Sequence, residues 1–246
     1  VQRRAHFPSM KEAIGWSFLW ISLALLFDLY VWYELGNVKA LEFLTGYVVE
    51  QALSVDNVFV FIVILTYFAV PQDVQHKVLF WGVLSAIVFR AIFIVLGAAL
   101  VAKFHWILYL LGGFLIVTAV KLAWQKDAAV HPERNPIVTF VRRLFPVTQG
   151  YEGSRFFVRK DGKLFMTPLF LVLIMIETTD IAFATDSIPA IFAITRDTVI
   201  IYTSNIFAVL GLRSLYFVVA GCMKEFRYLK YGLSAVLGFI GTKMLI

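Results

Sequence analysis

The amino-acid sequence predicts an all-α, polytopic helical membrane protein with seven spans, six of them forming two inverted three-helix repeats. Three observations carry this expectation. Of 246 residues, 61% are hydrophobic and only 15% charged, where a soluble domain has about half and about a quarter. Mean hydropathy is +0.83. The apolar residues come in runs near the roughly 20 that cross a bilayer, and the few charges inside those runs recur in one order in both halves of the chain.

The spans are placed at 13–33, 41–68, 74–101, 106–124, 168–194, 198–222 and 228–246. Most connections are short, so sequential spans are antiparallel neighbours. Trp16, Trp32, Trp81, Trp106 and Trp124 lie towards span ends, where interfacial aromatics collect. Asp28 and Glu34, near the outer end of span one, read as snorkelling or vestibule residues. The chain begins at Val1 and ends inside an apolar run at Ile246, so it reads as part of something longer. Its opening lacks the order of a signal peptide.

The linker at 125–167 holds eight bases against four acids, which marks it as cytoplasmic. Four spans precede it, so Val1 lies on the same side, in keeping with Arg3, Arg4 and Lys11. The loop with Lys224, Arg227 and Lys230 joins them by parity. Near the linker's end, FFVRKDGKLFMT alternates about Asp161-Gly162, which suits a tight β-hairpin. Pro132, Pro136 and Pro146 predict that the rest is irregular.

The net charge of +6 therefore reports topology and not nucleic-acid binding. A single cysteine, Cys222, allows no intrachain disulfide and reads as a packing residue. The four histidines sit at span ends or in loops, which argues against buried zinc or copper.

Carboxylates within apolar spans are costly and point to function. The stretch IETTDIAFATDSIP holds Glu177, Asp180 and Asp186, and EQALSVDNVFVF holds Glu50 and Asp56. When the two are aligned, Glu50 matches Asp180, Asp56 matches Asp186 and Asn57 matches Ser187. Arg90 and Lys121 follow the first set, Arg213 and Lys243 the second. Spans two to four (41–124) thus repeat as spans five to seven (168–246). A three-span unit crosses an odd number of times, so the copies are inverted, an arrangement typical of secondary transporters.

On a continuous helix Glu50, Ser54 and Asn57 share one face, as do Asp180, Ala184 and Ser187, with Glu177 joining the second. Asp56 and Asp186 point elsewhere. A helix broken at Pro189, which cannot donate to the carbonyl of Thr185, would let them converge. The expected metal site is Glu50, Asp56, Asn57, Glu177, Asp180, Asp186 and Ser187, with Arg90, Lys121, Arg213 and Lys243 balancing charge. These ligands are all oxygens, which suit Mn²⁺, Mg²⁺ and Ca²⁺ alike. The simpler alternative is that acids and bases pair as structural glue. Glu177 aligns with Tyr47, so the site is expected to be asymmetric.

The sequence contains no G-x-x-x-x-G-K-[ST], H-E-x-x-H or G-x-S-x-G, which removes the usual routes to an ATPase, a zinc protease or a serine hydrolase. No enzyme activity and no organic cofactor are expected. Two classes remain: a cation transporter, with protons as the natural counter-ion, and a membrane scaffold that recruits partners through its basic loop.

The two acidic motifs, with TSNIFAVLGLRSLYF and LKYGLSAVLGFIGTKML, resemble the TerC family of integral membrane proteins, itself similar to LysE-type transporters. The resemblance covers the chain from about Trp16 onward. It implies manganese efflux from a bacterial inner membrane, an association with tellurium resistance, and one further span at each end, nine in all.

Overall fold

The computed structural model describes residues 9–104, 106–124, 136–160, 162–221 and 229–245, apart from the side chains of 229 and 230. The segments with Arg3 and Arg4, Asp161, Cys222, and Lys224 and Arg227 lie outside these residues, as does the side chain of Lys230. The chain runs α1 (Met10–Leu35), α2 (Asn37–Tyr67), α3 (Gln72–Lys103), α4 (Ile107–Trp124), α5 (Pro136–Leu144), β1 (Phe157–Lys160), β2 (Lys163–Met166), α6 (Pro168–Phe192), α7 (Thr198–Gly221) and α8 (Leu229–Leu245). Among the described residues, six helices are long and apolar enough to cross a membrane. The seventh expected span is the shorter α8, of 17 residues.

Local chemistry explains the element ends. Ser9 and Glu12 form a reciprocal capping box that starts α1. One residue, Gly36, separates α1 from α2; its φ of 86° admits the abrupt reversal. Pro168 starts α6, where its missing N–H is harmless.

Helices α2, α3, α6 and α7 form the centre, through contacts α2–α7, α3–α6, α3–α7 and α2–α6. Helices α4 and α8 pack together on one flank and reach α6 and α2, while α1 lies on α2 and α7. Exchanging α2 with α6, α3 with α7 and α4 with α8 maps these central and flanking contacts onto one another. Successive contacts also give direction. Gly82 faces Ile176, Ser85 bonds Glu177, Arg90 bonds Asp180 and Gly97 faces Phe192, so α3 and α6 run parallel. On the flank Gly112 meets Gly241 and Ala119 meets Ser234, so α4 and α8 run antiparallel.

The β-hairpin forms as expected, Lys160 pairing with Lys163 across a two-residue turn in which Gly162 has φ 76°. Between Leu144 and the hairpin the linker is irregular, as expected around Pro146, while Pro132 lies outside the described residues; the departure is at Pro136. Pro136 opens helix α5 instead of breaking one, because it occupies the first turn, and Val138 packs inward on the core. Tyr151 donates to the carbonyl of Phe68 at 2.6 Å, and Lys77 donates to that of Ser154. Burial pushes the Tyr151 phenol up, which keeps it a donor. The linker is thus strapped to the α2–α3 turn, and the start of α1 reaches the end of α7 through Met10 and Gly221. Tyr151→Phe is expected to cost about 1 kcal/mol and to quicken proteolysis of the linker, read by timed digestion.

The break expected at Thr185 and Pro189 is absent. Helix α6 continues through Pro189 to Phe192. Pro189 lies within the last turn, where a proline removes one hydrogen bond, and the buried Ile188, Ala190, Ile191 and Phe192 hold that turn in place.

Candidate ion site

The helix-face arithmetic holds. Glu50, Ser54 and Asn57 are buried on α2, and Asp180, Ala184 and Ser187 are buried on α6. Asp56 and Asp186 sit off these faces and are only half-buried. Without a break in α6, nothing turns Asp186 towards Asp180.

Arg90 joins the two faces. Along α3 the buried stripe is Gly82, Ala86, Arg90 and Ile94, one residue per turn. The two small residues let α3 approach α6 closely: a Cβ on Gly82 would lie 3.2 Å from Ile176. The arginine, 1% exposed, then lies between the helices. Its Nη1 donates to Glu50 Oε1 and, at 3.2 Å, to Asn205 Oδ1 of α7. Its Nη2 donates to Asp180 Oδ1 at 3.2 Å, and Nε reaches Asp180 Oδ2 at 3.5 Å. Two carboxylates, one from each aligned motif, thus share one guanidinium.

Along the same faces lie polar atoms that are buried and without a partner: Glu50 Oε2, Ser54 Oγ, Asn57 Nδ2, Asn205 Nδ2 and Ser187 Oγ. Each such atom costs about 1–3 kcal/mol in a dry interior. Those on Glu50, Ser54 and Asn205, at or within one turn of the cluster, call for a polar or charged guest.

The other predicted residues are distributed around this centre. Glu177 accepts from Ser85 of α3 through Oε1, and its Oε2 is buried without a partner. Asp186 accepts from Thr118 of α4 at 3.2 Å, and the charge of Lys121 acts on it. Asp56 has no hydrogen-bond or ion-pair partner among the described residues. Arg213 is half-buried and forms no ion pair there, so the balancing role expected of it is not seen. The α7 residue that meets Arg90 is Asn205. Lys243 is exposed and lines a cavity of about 460 Å³ between helix ends, opposite the linker, with Lys39, Glu42, Thr195 and Asp197. In that cavity Lys39 bridges Glu42 at 2.8 Å and Asp197 at 3.3 Å. Among the described residues no three His, Cys, Asp or Glu side chains come together as a metal cluster. The acids expected to form one group are therefore divided into a central pair and three flanking positions.

Sequence reasoning missed Asn205, Ser85 and Thr118 as site residues. Thr118 had a readable sign, because it lies three residues before Lys121 and so shares its face. Asn205 is a lone amide in an apolar run, but its meeting with Arg90 depends on how α7 is turned.

The TerC integral membrane protein family model matches residues 35–246. An uncharacterized membrane protein of Myxococcus xanthus is 52% identical over 244 residues, 99% of this chain and 76% of its own length. Two proteins named Alx, for a proposed role as a membrane-bound redox modulator, are also similar. That of Salmonella typhi is 49% identical and that of Escherichia coli K12 47%, each across all of this chain and 79% of its own length. No solved structure matches. A family match across most of the chain, with relatives near half identity, shows that this chain is an integral membrane protein of the TerC family.

Proposed function

We propose that this protein is a secondary transporter that exports a divalent cation, Mn²⁺ before Ca²⁺ or Mg²⁺, from a bacterial cytoplasm through a site between α2 and α6. The observation that carries this is the pair Glu50 and Asp180, buried on aligned helices, with Glu50 Oε2 and Ser54 Oγ left without partners. Carboxylate, hydroxyl and amide oxygens are hard donors suited to such ions. The exchange symmetry of the helix contacts, with α4 and α8 antiparallel, supports an inverted repeat built around that site. Glu177, Asp56 and Asp186, half-buried beside it, serve as further stops for the ion. The basic linker faces the cytoplasm, and the cavity lined by Lys39, Glu42 and Asp197 opens on the far side.

Charge arithmetic supports coupling to protons. Glu50, Asp180 and Glu177 against Arg90 leave two negative charges when all are ionised. One divalent ion, or two protons in its place, neutralises them. The names of the Alx relatives point to redox modulation instead of metal export. The export reading rests on the donor set and the helix arrangement, and manganese is favoured by the family resemblance.

Reconstituted into proteoliposomes, the protein is expected to move Mn²⁺ and to run faster with an opposing proton gradient. Fluorescence quenching of an entrapped metal dye measures this. No Mn²⁺ movement under either condition would favour the scaffold class.

A further inference from the structure

Arg90 occupies the place where a cation would sit. It is the only base among the described residues paired with Glu50 or Asp180. It engages them with different nitrogens while Asn205 holds Nη1 at 3.2 Å. A guanidinium satisfies two carboxylates through N–H donors, and a divalent ion satisfies them by direct coordination. The same oxygen lone pairs cannot serve both at once. Glu50 Oε2 and, one turn along α2, Ser54 Oγ remain without partners, so the guanidinium fills the site only partly.

We infer that Arg90 is the resident cation of the empty transporter, displaced by cargo and restored on its release. This rests on the transport reading above. Asn205 keeps the guanidinium at hand when the carboxylates are taken, because its Oδ1 bond to Nη1 does not compete with cargo.

The consequence concerns the return half of the cycle. An emptied carrier must reorient with Glu50 and Asp180 buried in a low-dielectric interior. With Arg90 between them, each carboxylate keeps a charged donor. Without it, two like charges face each other uncompensated, a state that buried ionic groups resist strongly. Arg90 is therefore a positioning residue for the empty state, and cargo itself does its work in the loaded state.

The test separates net transport from exchange. Proteoliposomes holding the full chain are assayed for net Mn²⁺ movement down a gradient, then for swap of radiolabelled Mn²⁺ with equal Mn²⁺ on both sides. Arg90→Gln is expected to lower net movement at least about tenfold more than it lowers exchange, since exchange runs through the loaded carrier alone. Arg90→Lys keeps a charge but lacks the fork that spans both acids. It is expected to slow net movement more than exchange, and it carries the test alone should the glutamine variant not fold. Net movement unchanged in Arg90→Gln, or both modes falling in parallel in Arg90→Lys, would overturn the inference. A wild-type protein inactive in both modes would overturn the transport reading itself.

Discussion

Glu50→Gln and Asp180→Asn are each expected to lower the proposed Mn²⁺ flux by at least about 100-fold, the largest loss among the acidic residues. Both carboxylates are almost completely buried, at 0% and 2% exposure. Removing one charge from a buried, paired site costs about 3–5 kcal/mol, and each 1.4 kcal/mol is about tenfold in binding. The amide variants keep side-chain volume, and Arg90 keeps its other acid, so both proteins are expected to purify folded. Asp56→Asn and Asp186→Asn act on half-buried carboxylates outside the Arg90 cluster and are expected to cost less. Initial rates in proteoliposomes check the order. A greater loss in the flanking aspartates than in Glu50 and Asp180 would move the principal stop of the ion away from Arg90.

Gly241→Val is expected to separate α8 from α4. A Cβ on Gly241 would lie 2.8 Å from the carbonyl oxygen of Gly112 and 3.1 Å from the backbone nitrogen of Ile116. Backbone cannot swing aside as a side chain can. Gly112 is equally confined, its Cβ position being 2.9 Å from Met244 Cβ. Small residues permit this close approach between helices in lipid. Overpacking such a contact costs about 1–3 kcal/mol, and the branched valine falls at the upper end. A lowered melting temperature in detergent, measured by tryptophan fluorescence, checks this. An unchanged melting temperature would show that the two helices part without penalty.

The sequence made the buried faces of α2 and α6 legible, because helical periodicity alone puts residues 50, 54 and 57, or 180, 184 and 187, on one stripe. The hairpin was legible from Asp-Gly chemistry. Pro136 and Pro189 misled for one reason: the effect of a proline depends on its distance from a helix end. Pro136 starts α5, and Pro189 stands too near the end of α6 to divide it. Charge order suggested equal roles for Arg90 and Arg213. Their difference arises from the rotation of α7, a product of packing that local sequence does not encode. The division of the five acids follows from the same facts, since their convergence had required the break at Pro189.

Helix α1 has no counterpart under the exchange that relates the other helices. It braces the α2–α7 seam, where Phe27 meets Phe43 at 5.2 Å and Phe207 at 5.0 Å between ring centroids. The related α3–α6 seam is less extensively packed and borders an open apolar groove of about 480 Å³ near Phe93, Gly97 and Phe192. Parting α3 from α6 therefore sacrifices less buried surface than parting α2 from α7. The two halves of a rocking cycle would be unequal in cost, with one face of the molecule the stiffer hinge and the other the looser door.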